Sequence, residues 1–133
     1  MTKKPRLLNL LLSFSFFLLA LVSKRFSGPF HQFANNYLGD LFIVDWLYFL
    51  VLFVFPKLRP AITATIVLTM SVFVEIAQAY YLPLSPGLPS WVLFWTGTKF
   101  DPMDIAVYVA GAVLAVLIDL LWRRVTADQV PAA

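Results

Sequence analysis

The sequence has little charge and no cysteine. Only 13% of its 133 residues are charged, whereas a soluble domain carries about a quarter. Hydrophobic residues make up 61% of the chain, and the mean hydropathy is +0.83. The absence of cysteine excludes disulfides, a thiol nucleophile and sulfur ligands for a metal. Since seven acids and ten bases cannot cover a water-soluble globule of this size, the composition indicates an integral membrane protein.

Four apolar runs predict four transmembrane helices in a single membrane domain. They cover residues 7–22, 39–55, 61–82 and 103–122, and a polar tail follows at 123–133. A helix rises about 1.5 Å per residue, so roughly 20 residues cross a hydrocarbon core of about 30 Å. The first run is short for that distance, but its flanking basic side chains can reach the headgroups. No small-residue cleavage site follows it, so we interpret it as an uncleaved span.

Two further stretches are expected to lie in the membrane interface. Residues 31–38 are too polar to cross, and residues 85–98 are too short and too rich in proline. Trp91 and Trp95 in the second stretch suit the depth of the lipid headgroups. The predicted fold class is therefore an all-α integral membrane four-helix bundle with interfacial segments on the outer side.

The distribution of lysine and arginine predicts the orientation. Seven of these bases flank one side of the predicted bundle and three flank the other. The seven are Lys3, Lys4, Arg6, Lys57, Arg59, Arg123 and Arg124, and the three are Lys24, Arg25 and Lys99. The positive-inside rule then places both termini in the cytoplasm. Because the bases flank apolar runs instead of forming one surface, we predict no nucleic-acid partner.

Five of the seven acids fall on the predicted outer side, and Glu75 is the most informative. Ionisable groups within spans are costly and usually face a bundle interior or a wet cavity. Ser71, Glu75 and Gln78 are spaced i, i+4 and i+7, so they share one helix face. Two interpretations stay open: Glu75 belongs to a functional site, or it is a hydrogen-bonded residue that joins helices.

The fourth run opens with a second polar stripe. Asp101 precedes a proline and is expected to cap the helix, which is a structural role. Asp104, Tyr108 and Gly111 are again spaced i, i+4 and i+7, and Gly111 would let another helix approach closely. Both stripes lie on the outer halves of their helices, so Glu75 and Asp104 are expected to share a cavity.

Two carboxyl groups in one low-dielectric cavity are not both expected to be ionised without a neighbouring cation. Arg25 is the first candidate for that cation and Lys99 the second. Asp40 and Asp45 are five residues apart, so their side chains point about 140° apart and cannot face one site. Asp40 is expected to be a structural first-turn residue, whereas Asp45 lies deeper.

The sequence offers no metal site and no familiar catalytic constellation. His31 is the single histidine, and it has no partner at ligand spacing. A Ser-His-acid triad would depend on this one residue, which we interpret as structural. We therefore predict no cofactor and lean toward a protein that is not an enzyme.

The polar residues of the last two spans resemble the VanZ-like superfamily of small polytopic bacterial membrane proteins. The residues that carry the likeness are Glu75, Gln78, Lys99, Asp101, Asp104, Tyr108 and Gly111. Ser23-Lys24-Arg25 and Gly39-Asp40 resemble one branch, a small bacterial four-span family of unknown function. The resemblance implies a multi-pass protein of the bacterial inner membrane. The superfamily has an arginine near the position of Lys99 and an asparagine in place of Tyr108, so no ligand specificity is carried over.

The leading functional hypothesis is a non-enzymatic inner-membrane protein with an acidic outer cavity. Glu75, Gln78, Asp104 and Tyr108 would bind a polar or amine-bearing envelope ligand or a lipid headgroup there, with Arg25 or Lys99 nearby. One alternative is a small proton- or ion-coupled transporter that uses Glu75. Another is an assembly subunit that forms a homo-oligomer or joins a membrane-protein partner. A hydrolase of lipid-linked substrates is the weakest alternative. Few polar residues are expected in the inner halves, which favours binding over transport.

Overall fold

The computed structural model describes residues 4–80, 87, 89–91 and 102–128, with side chains except those of 4, 5, 78, 79 and 126–128. These residues form four long helices and no strand. Helix α1 covers Lys4–Arg25, α2 His31–Val54, α3 Pro60–Tyr80 and α4 Pro102–Asp128. Each is long and apolar enough to cross a membrane. The predicted all-α fold with four spanning helices is confirmed.

Helix α2 begins earlier than its apolar run. Residues 31–38 continue into the helix as one α-helical turn followed by a π-helical segment, Ala34–Leu38. One polar residue of this stretch binds the end of α1: the Asn35 amide Nδ2 donates to the carbonyl oxygens of Ser23 and Phe26 at 2.7 and 3.0 Å. Asn35 thereby donates to carbonyl groups at and just after the end of α1, where the helix itself supplies no donor.

Residues 85–98 were expected to cap the bundle at its surface, and most of them lie outside the described residues. Trp91 is described and is 68% exposed. Trp95 lies outside the described part of the chain.

Helix α2 is the centre of the bundle. It packs against α1, α3 and α4, and α3 also packs against α4, whereas α1 contacts α2 alone among the described helices. The rings of Phe16 and Phe49 stack between α1 and α2 with centroids 5.8 Å apart. On the other side of α2, small residues of α4 allow close packing. The buried hydrophobic cluster consists of Phe16, Val44, Tyr48, Phe49, Leu52, Val67, Tyr108, Ala112 and Ala115.

Large apolar side chains also cover the outside of the bundle. Phe14, Phe73 and Leu117 are each more than half exposed, on three different helices. A soluble protein rarely exposes apolar surface over such an extent, because water opposes it. Together with the lengths of the four helices, this surface indicates a multi-pass membrane protein.

Helix α4 runs beyond the predicted end of its span, as far as Asp128. Arg123 lies four residues after Asp119, and its Nε donates to Asp119 Oδ1 at 2.9 Å. Such i,i+4 ion pairs stabilise a helix, and this one supports the continuation of α4 beyond its apolar run.

Candidate functional site

Polar side chains inside the bundle lie at three levels. We call the end with Lys24, Asp40, Glu75 and Tyr108 the acidic end, and the end with Asp119 and Arg123 the basic end. Asp45 lies between them, near the middle of α2. By the positive-inside prediction, the acidic end is the outer one.

At the acidic end, α1 and α2 are joined by an ion pair. Lys24 Nζ donates to Asp40 Oδ1 at 3.3 Å, and both side chains are largely buried. Gly39 makes room for this arrangement, because a Cβ there would lie 2.6 Å from Lys24 Cγ. Asp40 was expected to be a structural first-turn residue, and the pair with Lys24 gives it a partner on another helix.

The two polar stripes predicted from the sequence meet at one contact. Tyr108 Oη donates to Glu75 Oε2 at 2.8 Å, which joins α4 to α3. Glu75 is fully buried and Tyr108 is 7% exposed. Ser71, one turn before Glu75, is buried as well, but its hydroxyl donates back to the Val67 carbonyl at 2.9 Å.

Gly111 sets the distance between α2 and α4. A Cβ at this position would lie 2.9 Å from the Leu41 carbonyl oxygen and 3.2 Å from Val44 Cβ. Real Cβ atoms essentially never approach a backbone oxygen so closely, so only glycine permits this spacing. The close approach places Tyr108, one turn away on α4, beside α2 as well as α3.

A cavity of about 140 Å³ opens between α2, α3 and α4 at the acidic end. Three polar residues line it, Asp40, Ser71 and Tyr108. The remaining lining residues are apolar: Ile43, Val44, Leu47, Met70 and Val74. The cavity therefore offers a carboxyl group and hydroxyls on part of its wall and a hydrocarbon surface elsewhere.

The other predicted site residues lie at different positions relative to the cavity or outside the described residues. Asp104 is half-buried in the first turn of α4 and is not among the residues that line the cavity. Arg25, the first candidate counter-ion, is exposed at the end of α1, and its neighbour Lys24 pairs with Asp40 instead. The Gln78 side chain, Lys99 and Asp101 lie outside the described residues.

The basic end holds a second buried network that the sequence analysis missed. Tyr48 Oη donates to Asp119 Oδ2 at 2.6 Å, and Arg123 Nε donates to the other oxygen of that carboxylate at 2.9 Å. Arg123 Nη2 also donates to the Leu58 carbonyl oxygen at 2.9 Å, so the network ties α2 and α4 to the loop before α3. In the sequence, Tyr48 is one of several aromatic residues in an apolar run, and its hydrogen-bond partner is evident only from the tertiary packing.

The inner threonines do not extend this network. The hydroxyls of Thr63, Thr65 and Thr69 each donate to the backbone carbonyl four residues earlier on or just before α3. This is the usual way in which a helix satisfies such residues.

Asp45 is the least explained polar residue of the described bundle. Its exposed fraction is 0%, and neither carboxyl oxygen has a hydrogen-bond partner among the residues that the structure describes. No group of three histidine, cysteine or acidic side chains lies close enough to hold a metal ion within the part of the chain that the structure describes. Among those described residues, Asp45 therefore has no metal ligand set around it.

A family model described as "Protein of unknown function (DUF2809)" matches residues 30–112, more than half of the chain. The chain belongs to this family. The DUF2809 match includes Asp40, Asp45, Glu75 and Tyr108 but not α1 or the Asp119–Arg123 pair. The wider VanZ-like relationship stays a prediction. No curated protein and no solved structure matches the chain.

Proposed function

We propose that this DUF2809 protein binds an amine-bearing ligand, such as a lipid headgroup, in the cavity at its acidic end, without changing it chemically. We further propose that it resides in the bacterial inner membrane with the acidic end outside, where envelope ligands and outer-leaflet lipids are found. The supporting observation is that Asp40 and Tyr108 line one cavity while Glu75 holds the Tyr108 hydroxyl.

The charge at this end favours a cation. Asp40 lines the cavity, and Glu75 accepts a hydrogen bond from Tyr108, which lines it as well, so two carboxyl groups lie at or next to the cavity. A charge taken out of water is stable only when it is paired and hydrogen-bonded. Such a pair already exists at this end of the bundle, where the Asp40 carboxylate accepts a hydrogen bond from the Lys24 ammonium group, with 3.3 Å between Lys24 Nζ and Asp40 Oδ1.

The shape and lining of the cavity favour a small headgroup. A volume of about 140 Å³ holds an ethylammonium group but not a large sugar or a peptide. The apolar wall, which includes Leu47 and Met70, suits the glycerol and upper acyl region of a lipid. Ligand sites generally combine a mostly apolar lining with a few placed polar groups.

The test is native mass spectrometry of the protein in micelles that contain equal amounts of phosphatidylethanolamine and phosphatidylglycerol. We expect the wild-type protein to retain phosphatidylethanolamine, which carries an ammonium group, over phosphatidylglycerol, which does not. Glu75→Gln should lose this preference while the protein remains folded, because it removes the charge and keeps the shape. Tyr108→Phe should weaken the preference too.

The matched control is Tyr80→Phe, which removes a hydroxyl at the exposed end of α3 and should leave lipid retention unchanged. Glu75→Ala separates packing from charge, because it opens a cavity and lowers thermal stability. Equal retention of both lipids by the wild type contradicts the proposal. If Glu75→Gln matches the wild type in both lipid retention and stability, Glu75 joins helices and the assembly-subunit hypothesis is the better one.

A further inference from the structure

Positive side chains are concentrated at the basic end of the bundle. Five lysine and arginine side chains that the structure describes there are exposed: Arg6 on α1, Lys57 and Arg59 in the loop before α3, and Arg123 and Arg124 on α4. Asp119 is the one acidic side chain that the structure describes at this end. Five positive charges therefore lie near one negative charge, and the field at this end attracts anions.

Arg6 is held against the end of α2. Its Nε donates to the Phe53 carbonyl oxygen at 3.0 Å, and its Cζ lies 5.2 Å from the centre of the Phe53 ring. A guanidinium group has five N–H donors, and Nε supplies one of them. The four N–H groups of the Nη atoms have no hydrogen-bond partner among the described residues. The side chain is thus fixed in place, while the part of it that can bind a phosphate in a bidentate manner is still available.

Arg123 is held by the loop that follows α2. Its Nη2 donates to the Leu58 carbonyl oxygen and its Nε to Asp119, both at 2.9 Å. The loop bends between Phe55 and Leu58, because the Leu58 N–H donates to the Phe55 carbonyl oxygen at 3.2 Å. The two arginines therefore bind carbonyl oxygens that are only five residues apart in the chain, at Phe53 and Leu58.

A structural role accounts for only part of this arrangement. Carbonyl groups at helix ends and in loops need donors, and each arginine supplies one N–H group to such a carbonyl. Orientation in the membrane needs charge alone, and any exposed lysine would serve it equally well. Guanidinium groups that are already held by backbone carbonyls lose little further side-chain freedom when an anion binds. The two arginines are therefore preorganised for an anionic ligand.

Large apolar side chains are exposed next to these charges. Phe55 in the loop is 59% exposed, and Leu121 and Trp122, directly before Arg123, are 64% and 43% exposed. A soluble anion makes no use of such a surface, whereas a phospholipid presents its phosphate next to hydrocarbon. By the positive-inside prediction this end lies at the cytoplasmic leaflet, where basic sites between membrane helices bind the headgroups of anionic lipids. The surface therefore fits an anionic phospholipid.

We propose that the basic end binds a phospholipid with two phosphate groups, the chemistry of cardiolipin. One phosphate accepts hydrogen bonds from the Nη atoms of Arg6 and the other lies beside Arg123. Lys57 and Arg59 add positive charge around them, and the acyl chains lie against the exposed apolar side chains. The inference does not depend on the proposed ammonium site, because that site lies at the acidic end of the bundle.

The test is native mass spectrometry of the protein in micelles that contain equal amounts of cardiolipin and phosphatidylglycerol. Neither lipid carries an ammonium group, so the acidic end does not select between them. We expect the wild-type protein to retain cardiolipin over phosphatidylglycerol, which has one phosphate. Arg6→Gln should lower cardiolipin affinity about fivefold, and Arg6→Gln with Lys57→Gln about 25-fold. The matched control is Arg25→Gln, the same exchange at the opposite end of α1, which should bind cardiolipin like the wild type.

Size-exclusion chromatography and thermal melting check that each variant is folded. Equal retention of both lipids by the wild type overturns the proposal, and so does an Arg6→Gln protein that binds cardiolipin as tightly as Arg25→Gln. If Arg6→Gln does not fold, the double variant Lys57→Gln with Arg59→Gln decides, because both side chains are exposed in the loop. Unchanged cardiolipin binding in that variant rejects the site. Failure of this test concerns the basic end, whereas failure of the phosphatidylethanolamine test concerns the acidic end.

Discussion

The hydrogen bond between Tyr108 and Glu75 offers a measurement of whether Glu75 is charged. The perturbation is a double-mutant cycle of Tyr108→Phe and Glu75→Gln. Tyr108→Phe removes the donor, whereas Glu75→Gln keeps an acceptor oxygen and removes only the charge. Their coupling energy therefore reports what the charge adds to a bond of 2.8 Å.

The magnitude follows from the burial of the pair. Hydrogen bonds between neutral groups in membrane proteins average about 0.6 kcal/mol. A bond to a charged group contributes about 1.5–3 kcal/mol, and this acceptor is fully buried. If Glu75 is ionised, as the proposed cation site requires, the coupling should be about 1 kcal/mol or more. If Glu75 is neutral, Gln replaces it as an acceptor and the coupling should be near zero.

The assay is reversible unfolding of the four proteins in bicelles by a denaturing detergent, followed by tryptophan fluorescence. Each free energy of unfolding is taken from the midpoint and slope of its transition. The control cycle pairs Glu75→Gln with Tyr80→Phe, whose side chain is exposed, and should be additive within about 0.3 kcal/mol. A Tyr108–Glu75 coupling no larger than this control refutes an ionised Glu75 and the cation site built on it.

Three further predictions follow from packing, burial and topology. Gly111→Ala should destabilise the protein by about 1–3 kcal/mol in the same unfolding assay, because its Cβ meets the Leu41 carbonyl oxygen at 2.9 Å; a neutral substitution would show that α2 and α4 are further apart. Asp45→Leu should raise the free energy of unfolding by about 1–3 kcal/mol, since it removes a buried group without a partner; a loss of stability would indicate a bond that the carboxyl group makes in the membrane. Reporter fusions at Ala133 should be active only on the cytoplasmic side, and periplasmic activity there would invert the acidic and basic ends.

The sequence alone determined the class of the protein and the number of its helices. Apolar runs of sufficient length, ended by prolines and basic residues, are local properties that need no knowledge of the fold. The same holds for the polar stripes, because helical spacing places Glu75 with Ser71, and Tyr108 with Gly111, on one face. The prediction that the two stripes lie close together also followed from the sequence, because both are on the outer halves of their helices.

Only the tertiary structure decided which polar groups meet. Arg25 and Lys24 are adjacent in sequence and both carry a positive charge, and the rotation of α1 against α2 selects Lys24 for Asp40. Tyr48 and Asp119 are 71 residues apart, and no local pattern links them. Asp45 shows the same limit, since its burial depends on how three helices pack around α2. Helical periodicity gives the direction of a side chain within its own helix, whereas its partner depends on the rotation and spacing of the neighbouring helices, which long-range packing sets.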